Sequence, residues 1–513
     1  MGFRNALKGV LLGLLMSTPI ALQGQAQAPA PVRGGTLTVG MFQGMQTLDP
    51  IRSNDLSERD ILYLLFNTLV RLEPDFSVKP ELAESWKYED GGKRLVLKLR
   101  PGIKFTDGTP LDAEAVKWNF DRRLDPEAKS PQRPALSASI DAVTVIDPLT
   151  VAIATKVADP GLLGLLGQRE GYIVSPTAAK AAGDDFGTRP VGSGPFILKE
   201  WVRGNQLVVE RNPGYWEQGK PYLDRIVLQN IAGSVVGLQR LRTGELDLIP
   251  TLTATDIIPL RNARDIKLDR APANRWYSLQ FQIDRPPFDN PLLRQAIAHA
   301  IDRKKLVDIV MLGQAPISDS PTPEGLWWQS PEVKSYEYDP AKARELLKQA
   351  GYPNGLTIPL ASPQRTPDSQ ISEVIQDQLK AVGITATLEA VSQAEFYPRV
   401  VRRQINFTPM NWTQRPDPDG LFRFLFYTGA AQNTTGYSSK EVDDLLDRAR
   451  ALTDPEARKP LYTKAQQIFG KDLPYVPLFF AVQYLARKET VQGFTWIPDQ
   501  IPRYREVWKT TGK

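Results

Sequence analysis

Apolar positions recur along this chain with two periods, separated by turn residues. Gly35 to Val39 (GTLTV) reads as an opening strand that ends at Gly40. Arg94 to Arg100 (RLVLKLR) places Leu95, Leu97 and Leu99 on one face, the two-residue period of a half-buried strand. Pro101-Gly102 and Asp107-Gly108 then mark turns. Asp112 caps a helix over Ala113 to Arg123, in which Val116 and Phe120 fall one turn apart. Pro195 to Lys199 and Asn205 to Arg211 predict two strands joined through Trp201 to Gly204, and Leu223 to Asn230 predicts another.

The second half has longer helical periods. Pro291 to Val310 predicts one helix, with proline in its first turn and Leu293, Ile297, Ile301 and Leu306 near helical spacing. Asp339-Pro340 opens another that stops at Gly351, a residue suited to the left-handed stop position. Ser369 to Val382 predicts a helix followed by a strand over Ile384 to Leu388. Ser438 to Ala451 carries acids early and Arg448 and Arg450 late, as the helix dipole favours. The content is mixed α/β, with no fixed repeat.

Residues 1–28 follow a different pattern. Arg4 and Lys8 precede an apolar run from Val10 to Leu22, and small residues follow at Gly24, Ala26 and Ala28. This is the three-part layout of a secretory signal peptide. The run is shorter than the ~20 residues of a membrane span. Cleavage is expected after Ala26, since Pro29 would occupy the scissile bond after Ala28. Residues 1–26 are thus expected to be removed, and the Ala- and Pro-rich 27–33 to form a short tether. Losing Arg4 and Lys8 with no acid lowers the net charge from +5 to +3.

The 513 residues exceed what one hydrophobic core usually serves, so at least two lobes are expected. The small charge excess, with no basic run, argues against nucleic-acid binding. Cysteine is absent, which excludes disulfides, thiol chemistry and a lipidated cysteine anchor. The single histidine, His299, lies within a predicted helix and reads as a helix residue rather than a general base. There is no G-x-S-x-G elbow, Walker loop or H-E-x-x-H pair. One imidazole and no thiolate make a bare transition-metal site unexpected, so no cofactor and no metal are expected.

Several blocks together resemble one family, the extracytoplasmic solute-binding proteins (family 5) of the peptide, opine and nickel importers. They are Pro80 to Arg122, Gly192 to Ile226 with Leu241 to Asp247, Arg285 to Asp308, Tyr338 to Gly355, and the weaker RPDPDG at Arg415 to Gly420. They stand in the family's order. Most of their residues have a scaffold reading: glycines and prolines set turns, and Trp86, Phe105, Trp118, Trp201, Tyr215 and Trp216 fill cores.

The resemblance implies a two-lobed α/β periplasmic-binding-protein fold (type II, cluster C) with an extra α/β subdomain in the larger lobe. The first lobe would comprise 34–80, the subdomain 81–190, then 191–290 and 475–513; the second lobe would be 291–474. It further implies a monomeric periplasmic protein of an ABC transporter, closing on a peptide-like or anionic solute and handing it to a membrane permease. A secreted hydrolase acting on a peptide or glycoside, and a cleft-bearing periplasmic chaperone, remain as alternatives.

In this family, loops leaving strands at the lobe interface supply most ligand contacts, and three stretches match such places. The first carries Phe42, Gln43 and Met45. The second, Ser362 to Arg365, resembles a loop whose arginine holds the ligand carboxylate in dipeptide-binding relatives, and a guanidinium suits that task. The third runs from Asn411 to Gly420 and includes Trp412, Arg415 and Asp417. Dipeptide-binding relatives carry an aspartate here for the ligand's amino group. Arg415 matches that position if the register holds, favouring a ligand with more than one acidic group or no free ammonium; if the register slips by one, Asp417 is left to take an ammonium. Trp328 and Tyr437 are further candidate walls of the cleft.

Overall fold

The computed structural model describes residues 30–42, 45–53, 56–260, 262–271 and 274–510. The expected signal peptide, its cleavage site and Gln43 lie outside these residues.

The opening strand, Thr36–Met41, is central in a seven-stranded mixed sheet. It runs parallel to Arg225–Asn230 on one side and to Leu248–Leu252 on the other. The predicted hairpin forms, Phe196–Val202 against Gln206–Arg211, and extends the sheet at one edge. Tyr484–Lys488 and Ile266–Arg270 complete the other edge. Leu37, Val39, Leu207, Val209, Ile226 and Leu228 alternate inward from these strands into one core, the two-residue period at work.

A separate four-stranded antiparallel sheet lies within 83–155, with Leu95, Leu97 and Leu99 fully buried as their alternation predicts. The helix Ala113–Leu124 packs on it, its start capped by Asp112, which accepts the Ala115 N–H at 2.9 Å. This subdomain has its own apolar cluster.

The second lobe is built on a three-stranded sheet, with Arg275–Phe281 between Phe407–Thr413 and Tyr475–Ala481. Leu356–Pro363 and Ile384–Val391 form a parallel pair beside it. Sheet membership therefore moves the expected lobe boundaries of 291 and 474 outward. The strands at 275–281 and 475–481 belong with the second lobe, because their apolar side chains fill its core. The expected single helix over Pro291–Val310 is two, Pro291–Ala300 and Arg303–Val310. Asp302 breaks it by turning its carboxylate to the Lys305 N–H at 2.9 Å, a cap that starts the second segment.

The chain passes between lobes at two places, after Arg270 and after Ala481. These passages are tied by a hydrogen bond from the Ala271 N–H to the Gln483 carbonyl, 2.8 Å.

Candidate functional site

Three strands of the second lobe end at the same place. Arg275 opens the central strand, and Arg365 and Arg415 lie just beyond the carboxyl ends of Leu356–Pro363 and Phe407–Thr413. Register puts Arg275 opposite Thr413. Loops at such strand ends are where open α/β sheets place ligands. Here they face a cavity of about 530 Å³, within the range that small-molecule sites occupy.

The opposite wall comes from the first lobe. Arg59 projects from the helix Leu56–Leu65, and Gln168, Arg169 and Glu170 come from the turn after the short helix Gly161–Leu165. Asp499 and Gln500 close the end from the C-terminal loop. Apolar surface is supplied by Phe396, Trp412, Leu421 and Phe424, all from the second lobe.

Five arginines line this space against two acids, Glu170 and Asp499. Asp499 is spent on Arg503, 2.5 Å away. Arg365 donates from Nε to the buried Asp368 at 2.6 Å, which fixes its plane. Burial lifts the Asp368 carboxyl above the ordinary range, against the pull of Arg365. Among the described residues, Arg275 and Arg415 have no carboxylate within ion-pair distance. Arg415 instead lies over the Phe424 ring, 5.4 Å from its centroid. Burial between the cleft walls lowers its pKa, with Glu170 opposing and Arg169 adding to that effect. Arg59 is lowered for the same reasons, burial first and Arg169 next. Arg415 and Arg169 thus sense each other from opposite lobes. Cations gathered this way in a confined space favour an anionic occupant.

Of the residues anticipated for ligand contact, Arg365, Trp412 and Arg415 meet in this cavity. The other described candidates are placed elsewhere. Asp417 caps the helix Pro418–Phe426 and accepts two bonds from Arg458, at 2.6 and 2.7 Å, inside the second lobe. It is a buried ion pair and does not line the cavity. Trp328 is fully buried beneath Phe76. Tyr437 is also buried, its hydroxyl donating to Asp472 at 2.8 Å. Phe42 packs on the core below the helix Ser234–Thr243, and Met45 packs beside Trp201. Phe42, Met45, Trp328 and Tyr437 are large side chains that find a core before they find a cleft.

Arg59, Arg169, Glu170 and Arg275 were not anticipated. They come from three separate segments with no shared motif, and only the fold brings them together. His299, as expected, is a helix residue: its Nδ1 donates to the Glu337 carbonyl at 2.8 Å, and its ring meets Tyr336 edge-on.

The chain matches the family described as Bacterial extracellular solute-binding proteins, family 5 Middle, over residues 77–433. It is 32% identical over 478 residues to the Glutathione-binding protein GsiB of Escherichia coli (strain K12), covering 90% of this chain and 92% of that relative. HbpA2 from Haemophilus parasuis superposes with a TM-score of 0.87 at 24% identity, over 93% of this chain and 100% of the other. The ABC transporter-associated periplasmic binding protein DppA from Helicobacter pylori, in complex with the peptide STSA, gives 0.75 at 27% identity, over 93% and 98%.

Proposed function

The chain belongs to family 5 of the bacterial extracellular solute-binding proteins, which serve ABC importers, and from that premise we propose that its cleft captures a small peptide-like solute with two acidic groups, of the glutathione type, for delivery to a membrane permease. The observation that carries this is the convergence of Arg275, Arg365 and Arg415 on one cavity, faced by Arg59 and Arg169. A single carboxylate needs one guanidinium. Cations on both walls fit a solute with anionic groups at two places. Closure over it brings like charges of opposite lobes near each other only when the ligand's own charges stand between them.

The related GsiB binds glutathione by its name, and that tripeptide carries two carboxylates. In this reading the protein works outside the cytoplasmic membrane like its periplasmic relatives, and residues 1–26 are its export leader. Family membership and a relative named for binding glutathione favour capture over the hydrolase alternative.

Titration calorimetry of the purified protein tests the proposal. Glutathione is expected to bind one-to-one and at least tenfold tighter than dipeptides with neutral side chains. Equal or tighter binding of neutral dipeptides would sink it. A two-carboxylate opine that outcompetes glutathione would keep the acidic class and replace the named solute.

A further inference from the structure

Glu170 differs from the described carboxylates nearest to it in the fold. Asp499 is held by Arg503 and by the Ile501 N–H at 3.1 Å. Asp368 is held by Arg365, and Asp417 by Arg458. Asp419 sits between Arg423 and Arg450, at 3.3 and 3.7 Å. Glu170 accepts from Arg169 Nε at 3.1 Å through Oε1 alone. Its Oε2 is buried without a hydrogen-bond partner, although the residue lines the cavity and is only 6% exposed. A buried carboxylate oxygen left without a donor is costly.

Three further arginines stand within electrostatic reach of Glu170. Arg59, Arg123 and Arg415 all feel Glu170 favourably, yet among the described residues none forms an ion pair with it. One oxygen of Glu170 is thus left to receive a donor. Glu170 also stands on the first lobe, across from Arg275, Arg365 and Arg415 on the second.

We propose that Glu170 is a specificity-determining residue that accepts the ammonium group of the solute. The preferred ligand is then a zwitterion with two carboxylates and one free amine: acids to the arginines of the second lobe, amine to Glu170 on the first. A molecule carrying both charges across the gap ties the lobes together, which a dianion without an amine does less well. This rests on the acidic-peptide reading above and adds the position of the amine.

The test compares glutathione with N-acetylglutathione, which keeps both carboxylates and loses the ammonium, on the full chain and on Glu170→Gln. For the native protein, acetylation is expected to weaken binding at least tenfold. Glu170→Gln is expected to weaken glutathione by a similar factor and to bind the two ligands about equally. Indifference of the native protein to acetylation overturns the proposal, and so does a preference that survives in Glu170→Gln. Should Glu170→Gln fail to melt cooperatively, the native protein's own preference for glutathione over N-acetylglutathione decides. Absence of any glutathione binding by the native protein would instead remove the acidic-peptide reading, and this inference with it.

Discussion

Phe76 lies flat against Trp328, with ring centroids 6.4 Å apart and planes 6° from parallel. Phe76 is at the tip of the hairpin formed by Val70–Leu72 and Val78–Pro80, and Trp328 belongs to the second lobe. Both are essentially buried. Phe76 reaches this position with φ of 63°, a left-handed conformation that a bulky residue rarely holds. The hairpin thus presses an aromatic ring into the neighbouring core at a local backbone cost. Phe76→Ala is expected to destabilise the protein by about 3 kcal/mol, the low end for burying and then deleting such a ring. Urea unfolding followed by tryptophan emission measures it. A loss under half that size would mean the ring adds little between the lobes.

The Asp417–Arg458 pair yields a different expectation. Arg458 is only 2% exposed in its side chain, and its cation is held by the Asp417 carboxylate and the Tyr462 hydroxyl. Removing one partner strands a buried charge, a loss of about 3–5 kcal/mol. Arg458→Ala should show this in denaturant unfolding. Asp417→Asn should likewise lower stability, while the fraction that folds binds solute with native affinity. A selective loss of binding in a stable Asp417→Asn protein would return Asp417 to the ligand site.

The arginine wall predicts a salt effect. Charge-assisted bonds to a carboxylate contribute about 1.5–3 kcal/mol each, so Arg365→Ala and Arg415→Ala should each weaken a two-carboxylate solute roughly 10- to 100-fold. Raising ionic strength should weaken native binding further, because an open cleft admits counterions. Affinity that does not change with salt would argue for an apolar ligand instead.

Arg415 depends on a glycine. A Cβ at Gly420 would stand 3.1 Å from Arg415 Cδ and 3.2 Å from its Cβ, so the arginine stem rests where a side chain would be. Gly164 of the first lobe approaches Pro416 more closely still, 2.8 Å for an added Cβ. Gly420→Val is expected to displace Arg415 and weaken solute binding several-fold with a smaller change in melting temperature. Unchanged affinity would show that Arg415 is not a contact.

Asp419 brings a pH dependence. Burial raises its pKa from 3.8 to about 6; Arg423 and Arg450 oppose this and Asp417 adds to it. A carboxyl whose folded pKa is raised contributes most stability when protonated, below its unfolded value, and loses that contribution as pH rises through about 6. The loss amounts to roughly 3 kcal/mol by pH 7, from a shift of about two units at 1.36 kcal/mol each. Asp419→Asn should therefore gain stability relative to the native protein as pH rises from 4 to 7. Parallel melting curves of the two across that range would refute the raised value.

Local pattern told much about the elements. The alternation of Leu95, Leu97 and Leu99 became a buried strand face, and Asp112 and Asp339 cap helices where they were expected. Short-range chemistry decides such features, since a cap or a strand face involves residues a few positions apart. Arg365 and Arg415 were named through the family resemblance, Arg365 in a loop like that of dipeptide-binding relatives and Arg415 in the weak RPDPDG block. Tertiary structure decided which large or charged side chains reach the cavity. Asp417 and Arg415 are two residues apart, yet one is sealed against Arg458 and the other faces Glu170's lobe. Whether a polar group meets solvent or a buried partner depends on what packs over it from distant parts of the chain. Arg59, Glu170 and Arg275 became neighbours only when two lobes folded and met.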